Sequence, residues 1–161
     1  MGKAFLKNNY LLAACVLVLA VVCFLSVNAP MRFEQQQATR ETAVKQRLVK
    51  IRAAEERYRL RKGVYTGDFR ELTRCGLLAD SLRFIPYSDG QTFSLQATSM
   101  IGKTGKHIPL MECGAGYEQY LKGLDQNSVA NLIEAANSAG RYPGLRIGDI
   151  MTPNNNVGNW E

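Results

Sequence analysis

Residues 31–63 read MRFEQQQATRETAVKQRLVKIRAAEERYRLRKG. The stretch holds neither Gly nor Pro until Gly63 and is rich in Gln, Glu, Arg, Lys, Ala and Leu, all residues that lose little side-chain freedom in a helix. Val44, Leu48, Ile51 and Tyr58 recur at three- to four-residue steps, with Ala54 between the last two. That spacing puts them on one face of an α-helix. Gly63 is the expected C-cap, and Arg59, Arg61 and Lys62 suit the negative end of the helix dipole. The apolar stripe either packs on the chain's own domain, the reading preferred here, or meets a partner helix. The heptads are too few and too imperfect to define a coiled coil. The basic face is read as solvated, with contact to anionic lipid as the alternative if the helix lies near a membrane.

Upstream, Tyr10–Val27 reads YLLAACVLVLAVVCFLSV, 18 residues with Ser26 the only clearly polar side chain besides the Tyr10 hydroxyl. At the helical rise this spans about 27 Å, close to the hydrocarbon thickness of a bilayer. Only a helix satisfies its own backbone groups there. The segment therefore predicts a transmembrane helix over 10–27 behind a short tail, 1–9. Pro30 is expected to kink or briefly interrupt the helix before the basic amphipathic part, 28–62. Three processing signals compete with a stable anchor, and each fits poorly. Val27-Asn28-Ala29 imitates a signal-peptidase site but is followed by Pro30. Leu12-Ala13-Ala14-Cys15 imitates a lipobox, yet the apolar run continues beyond the cysteine. Gly2 lacks the Ser or Thr at position 6 that myristoylation wants. Lys3 and Lys7 favour an N-inside orientation, while Arg32 and Arg40 pull the other way.

Charge is unevenly distributed. The net charge is +6, but residues 32–62 hold ten basic and four acidic residues, whereas residues 63–161 hold eight basic and ten acidic. The high isoelectric point belongs to the helix, so the domain shows no nucleic-acid-binding composition.

Downstream, residues 63–150 form the expected small domain, and 151–161 a polar tail. Asp68 caps a short helix through Leu72. Thr92–Thr98 alternates apolar and polar residues as a half-buried strand does. Gly102–Lys106 reads as a hairpin turn, with His107–Cys113 returning as a second strand. Asp125–Ala139 is a helix with Val129, Leu132, Ile133 and Ala136 on one face, and Leu145–Ile147 adds a short strand. The fold class is therefore α+β: an N-terminal transmembrane helix extended into a long amphipathic helix, then an antiparallel sheet with one further helix. Phe93, Tyr117, Tyr120 and Tyr142 are read as core. Trp160, the only tryptophan, either folds back as a plug or projects towards a partner.

No catalytic constellation emerges. Ala97 with Gly102-Lys103-Thr104 matches a relaxed Walker A pattern, but Gly105 and Pro109 follow where a P-loop needs a helix, so no nucleotide is expected. His107 is the only histidine and has no neighbours at metal-ligand spacing. No metal and no cofactor are expected. Cys15 and Cys23 read as apolar fillers within the hydrophobic run. Cys75 and Cys113 permit one disulfide in an oxidising compartment, a pairing that spacing leaves open.

The phrase Ile51-Arg52-Ala53-Ala54-Glu55-Glu56-Arg57-Tyr58-Arg59-Leu60-Arg61-Lys62-Gly63-Val64-Tyr65-Thr66 resembles the helix exit of type IV pilins and type II secretion pseudopilins. Phe69-Arg70-Glu71-Leu72, Gly76-Leu77-Leu78 and Pro86 continue the likeness, which covers roughly residues 5–100. The chain also looks like a group of single-anchor bacterial envelope proteins. The resemblance implies a non-catalytic, single-pass structural or assembly component of the inner membrane with a periplasmic domain, bound to the bilayer through Tyr10–Val27 and to a protein partner or further copies of itself. The alternative is a tethered periplasmic binding module for a protein or a small ligand. Pilin precursors carry a Glu at the fifth mature position. A cut between Ala4 and Phe5 leaves Asn9 there instead, so no functional residue of the family transfers.

Overall fold

The computed structural model describes residues 2–102 and 105–161, and side chains at all of these positions except 2–9 and 25–30. The chain divides into two compact units, Met1–Gln36 and Gln37–Glu161. Helix α1 runs Gly2–Lys62. It continues through position 30, so the interruption expected at Pro30 is absent: losing one N–H donor does not end the helix there.

In the first unit, every side chain from Tyr10 to Phe24 is exposed. Among the described residues no helix is long and apolar enough to cross a membrane. The expected span, Tyr10–Val27, ends in Leu25, Ser26 and Val27, whose side chains lie outside the described residues.

The second unit is α+β. Helix α1 contributes its Gln37–Lys62 part, and Gly63 closes it. The Gly63 N–H donates to the Arg59 carbonyl at 2.7 Å with φ +80°, a left-handed cap that costs glycine little. Helix α2, Phe69–Arg74, follows, with the Asp68 carboxylate accepting from the Arg70 N–H. A 3-10 turn covers Asp80–Arg83. Strand β1, Ser94–Ile101, and strand β2, His107–Gly116, form an antiparallel hairpin in which Leu95 faces Cys113 and Met100 faces Ile108. Gly102 and Lys106 close its turn. Lys103 and Thr104 lie outside the described residues, but His107 already starts a strand, not the helix a phosphate loop needs. Helix α3, Tyr117–Tyr120, and helix α4, Gln126–Ser138, come next, α4 capped by Asp125. Strand β3, Gly144–Gly148, pairs antiparallel with β2, giving the order β1-β2-β3.

The core explains the stripe. Val44, Leu48 and Ile51 are fully buried in one apolar cluster with Leu72, Phe93, Met111, Cys113, Ala115, Tyr120, Leu121, Leu145 and Ile147. Tyr58 packs at its edge. The stripe therefore faces the chain's own sheet. The basic residues beside it are not simply solvated, as composition alone had suggested. Arg40 donates to the carbonyls of Tyr120, at 3.1 Å, and Lys122, at 2.8 Å. Arg47 donates to the carbonyls of Ser81, at 3.4 Å, and Phe84. Arg52 donates to the Asn156 carbonyl at 3.1 Å and pairs with the Glu161 carboxylate at 3.0 Å. Three guanidinium groups on one helix thus tie down three loops far away in sequence.

The tail belongs to this unit as well. Gly158 bridges to Ile147, the Asn159 N–H donates to the Arg146 carbonyl, and the Asn159 side chain donates to the Gly144 carbonyl at 2.9 Å. Residues 151–161 are an integral edge of the fold, and Trp160 packs against the core.

Replacing Leu48 or Ile51 by Asp would place an unpaired charge in the core. We expect loss of the cooperative thermal transition in both variants. Arg40→Ala, which removes two charge-assisted bonds at a half-buried position, should cost about 1–2 kcal/mol in urea denaturation.

Candidate functional site

Two polar features interrupt the second unit's apolar core. The first lies at the exit of α1. Glu55 continues the Val44, Leu48, Ile51 spacing, so helical geometry points it inward, and it is 0% exposed. One carboxylate oxygen accepts from the Thr66 N–H at 3.0 Å. The other, Oε1, has no hydrogen-bond partner among the described residues. Burial, followed by the neighbouring Glu56 charge, raises the Glu55 pKa from 4.5 to about 7, against the opposing Thr66 hydrogen bond. Cys113 is fully buried nearby; burial and then the Glu55 and Glu112 charges push its thiol well up, so it stays protonated.

Beside this group, the Tyr65 hydroxyl donates to Glu56 at 2.8 Å and accepts from the Asn156 side chain at 2.6 Å; Asn156 also donates to Glu56. Burial and the Glu56 carboxylate raise the Tyr65 pKa to about 12. The triad ties α1, its exit loop and the C-terminal tail together. Glu56 also pairs with Arg59 at 2.9 Å.

The second feature is a cleft of about 450 Å³ lined by α1, α3, α4, β3 and the tail. Leu132, Ala136 and Leu145 supply its apolar wall, Tyr117, Tyr142 and Trp160 its rings, and Glu41, Lys45, Arg141, Arg146 and Asn159 its polar rim. Most rim groups are already engaged. Lys45 pairs with Glu41 at 3.4 Å and sits 5.9 Å from the Trp160 ring centroid. Arg146 pairs with Glu112 at 3.0 Å and stacks on Tyr142 at 5.4 Å. The Asn159 side chain accepts from the Arg146 N–H and donates to Gly144.

The residues singled out from sequence fall elsewhere. Val44, Leu48 and Ile51 are core, and Tyr58 lines its edge. Cys75 caps α2 as a half-buried thiol, while Cys113 sits inside β2 between its partners Leu95 and Ile147. Both are free thiols, so the disulfide weighed above is not formed. The physical reason is placement: one sulfur ends a surface helix, and the other points into the core of the central strand. Among the described residues no three His, Cys, Asp or Glu side chains converge as metal ligands. The buried Glu55 was legible from the stripe's own period. The cleft was not, because its walls come from positions 41 to 160.

Glu55 gives a pH prediction. Its folded pKa lies above its unfolded value, so its contribution is fully present below about pH 4.5 and is lost as pH rises through about 7. Glu55→Gln keeps an acceptor for Thr66 and cannot ionise. Urea denaturation should find it more stable than the parent at pH 8 by on the order of 2–3 kcal/mol, with the gain vanishing near pH 4.

Compared with known proteins, the chain matches no protein family, no curated protein and no solved structure.

Proposed function

We propose that this chain is a membrane-anchored, non-catalytic structural or assembly component of a bacterial envelope complex, pseudopilin-like in plan, with its α+β unit on the periplasmic side of the inner membrane. One observation carries the reading. Between Tyr10 and Phe24 the helix exposes one large apolar side chain after another, from Val21 at 49% to Tyr10 at 75%. Such a surface is unfavourable in water and favourable in hydrocarbon. The sequence extends it to Val27, which brings it to the length a bilayer asks of a helix. Burial of this run fixes the chain's location. The same helix then supplies the central packing face of the α+β unit.

The polar groups of that unit support a structural role. The Glu56–Tyr65–Asn156 triad and the three arginine clamps spend their hydrogen bonds holding loops in place. A second reading, a tethered binding module, is favoured by the cleft beside Trp160.

Anchoring is tested by alkaline carbonate extraction. The parent chain should stay with the membrane pellet, and a Leu17→Arg, Val18→Arg double variant should move to the supernatant, each charge costing about 2.5–3.5 kcal/mol at the centre of a span. Extraction of the parent overturns the reading. Sidedness is read at Cys75, the more accessible of the two thiols in the α+β unit. A membrane-impermeant maleimide should label it once the outer membrane is made permeable, with the inner membrane intact. Labelling that waits for inner-membrane lysis places the unit on the cytoplasmic side.

A further inference from the structure

The cleft holds a set of donors that the protein itself leaves unused. Tyr117 lines it, and its hydroxyl has no hydrogen-bond partner among the described residues; Tyr142 contributes its ring, while its hydroxyl packs against Gly114 of β2. Tyr120 lies under Tyr117, with ring centroids 5.9 Å apart. Its side chain is fully buried, its hydroxyl is orphaned, and Glu41, Tyr117 and Tyr142 lie close enough for their charges to act on it. Arg141 stands on the rim near Tyr117, exposed and in no ion pair among the described residues. By contrast, the rim's other charges and the Asn159 amide are paired off. The groups left over in the cleft are therefore the Tyr117 hydroxyl and one guanidinium. What they lack is an acceptor, and a guanidinium fork matches a carboxylate.

The remaining wall fixes the rest of the ligand. Leu132, Ala136, Leu145 and the ring of Trp160 offer an apolar surface next to those donors. Trp160 is held there from behind: a Cβ on Gly158 would lie 2.7 Å from the indole ring, so glycine lets the ring pack against the backbone. The volume of about 450 Å³ lies within the range of small-molecule sites.

We propose that this cleft binds a small organic carboxylate carrying a flat apolar ring, its carboxylate on Arg141 and the hydroxyl of Tyr117, its ring against Leu132, Leu145 and Trp160. The proposal deepens the binding-module reading and rests on it only for its biological setting. Titration of the isolated chain therefore tests the cleft whether or not the carbonate extraction supports an anchor.

The test uses the full chain in detergent micelles with 2-naphthoate as probe. The single tryptophan gives one indole N–H resonance, so nuclear magnetic resonance reads the cleft directly. Saturable movement of that resonance by millimolar 2-naphthoate is expected, with no saturable movement by neutral 2-naphthamide. Arg141→Gln changes an exposed residue, should keep the parent's thermal midpoint, and should weaken binding by about tenfold, the factor for one charge-assisted hydrogen bond. Tyr117→Phe should weaken it several-fold by the same assay. The proposal is overturned if the resonance does not move saturably, if the amide moves it equally, or if Arg141→Gln binds as the parent does.

Discussion

Burial of one face of α1 against a three-stranded sheet is the contact on which the rest of the second unit depends. Val44, Leu48 and Ile51 leave no accessible surface, and the strands that cover them come from positions as distant as Met111 and Ile147. A sheet of three strands with one apolar face is not stable in water by itself unless something covers that face. Here the helix is the cover. That is why the helical half after Gln37 and the domain after Gly63 form one compact unit, although the chain's composition changes sharply between them.

Around this contact the polar interactions are organised by the same helix. Arg40, Arg47 and Arg52 step along α1 and reach backbone carbonyls in three separate loops. A guanidinium keeps its charge and offers several donors, so it can satisfy carbonyls at a loop that has no secondary-structure partner. The C-terminal tail is held to α1 at two points, by Arg52 on Asn156 and Glu161 and by the Glu56–Tyr65–Asn156 triad. The positive charge that looked like a surface property of the helix is in good part internal structure.

Glu55 is the exception to an otherwise apolar face. Its position in the helical period sends it inward, and only the Thr66 N–H meets it there. A buried carboxyl without a cation beside it is held more readily as the neutral acid, which makes the exit of α1 sensitive to pH. The cleft beside Trp160 differs in kind. Its polar groups stand on the walls of an open cleft, beside the apolar side chains of Leu132, Ala136 and Leu145.

Local pattern alone determined the helix, its stripe and its end at Gly63, because a 3.6-residue period and a glycine cap are properties of neighbouring residues. The same holds for the β1–β2 hairpin, the Asp125-capped helix α4 and the short strand near Leu145, and for the apolar run from Tyr10. Tertiary structure decided what local pattern does not carry. It showed that the stripe faces its own sheet, that Cys75 and Cys113 stay apart, and that the arginines clamp loops. It also showed that the polar tail folds back as an edge of the unit. Each of these depends on residues tens of positions apart being brought together, and spacing along the chain holds no record of which distant backbone carbonyl a guanidinium will meet. The walls of the cleft come from α1, α3, α4, β3 and the tail at once, so it took shape only when the sheet and helices closed around it.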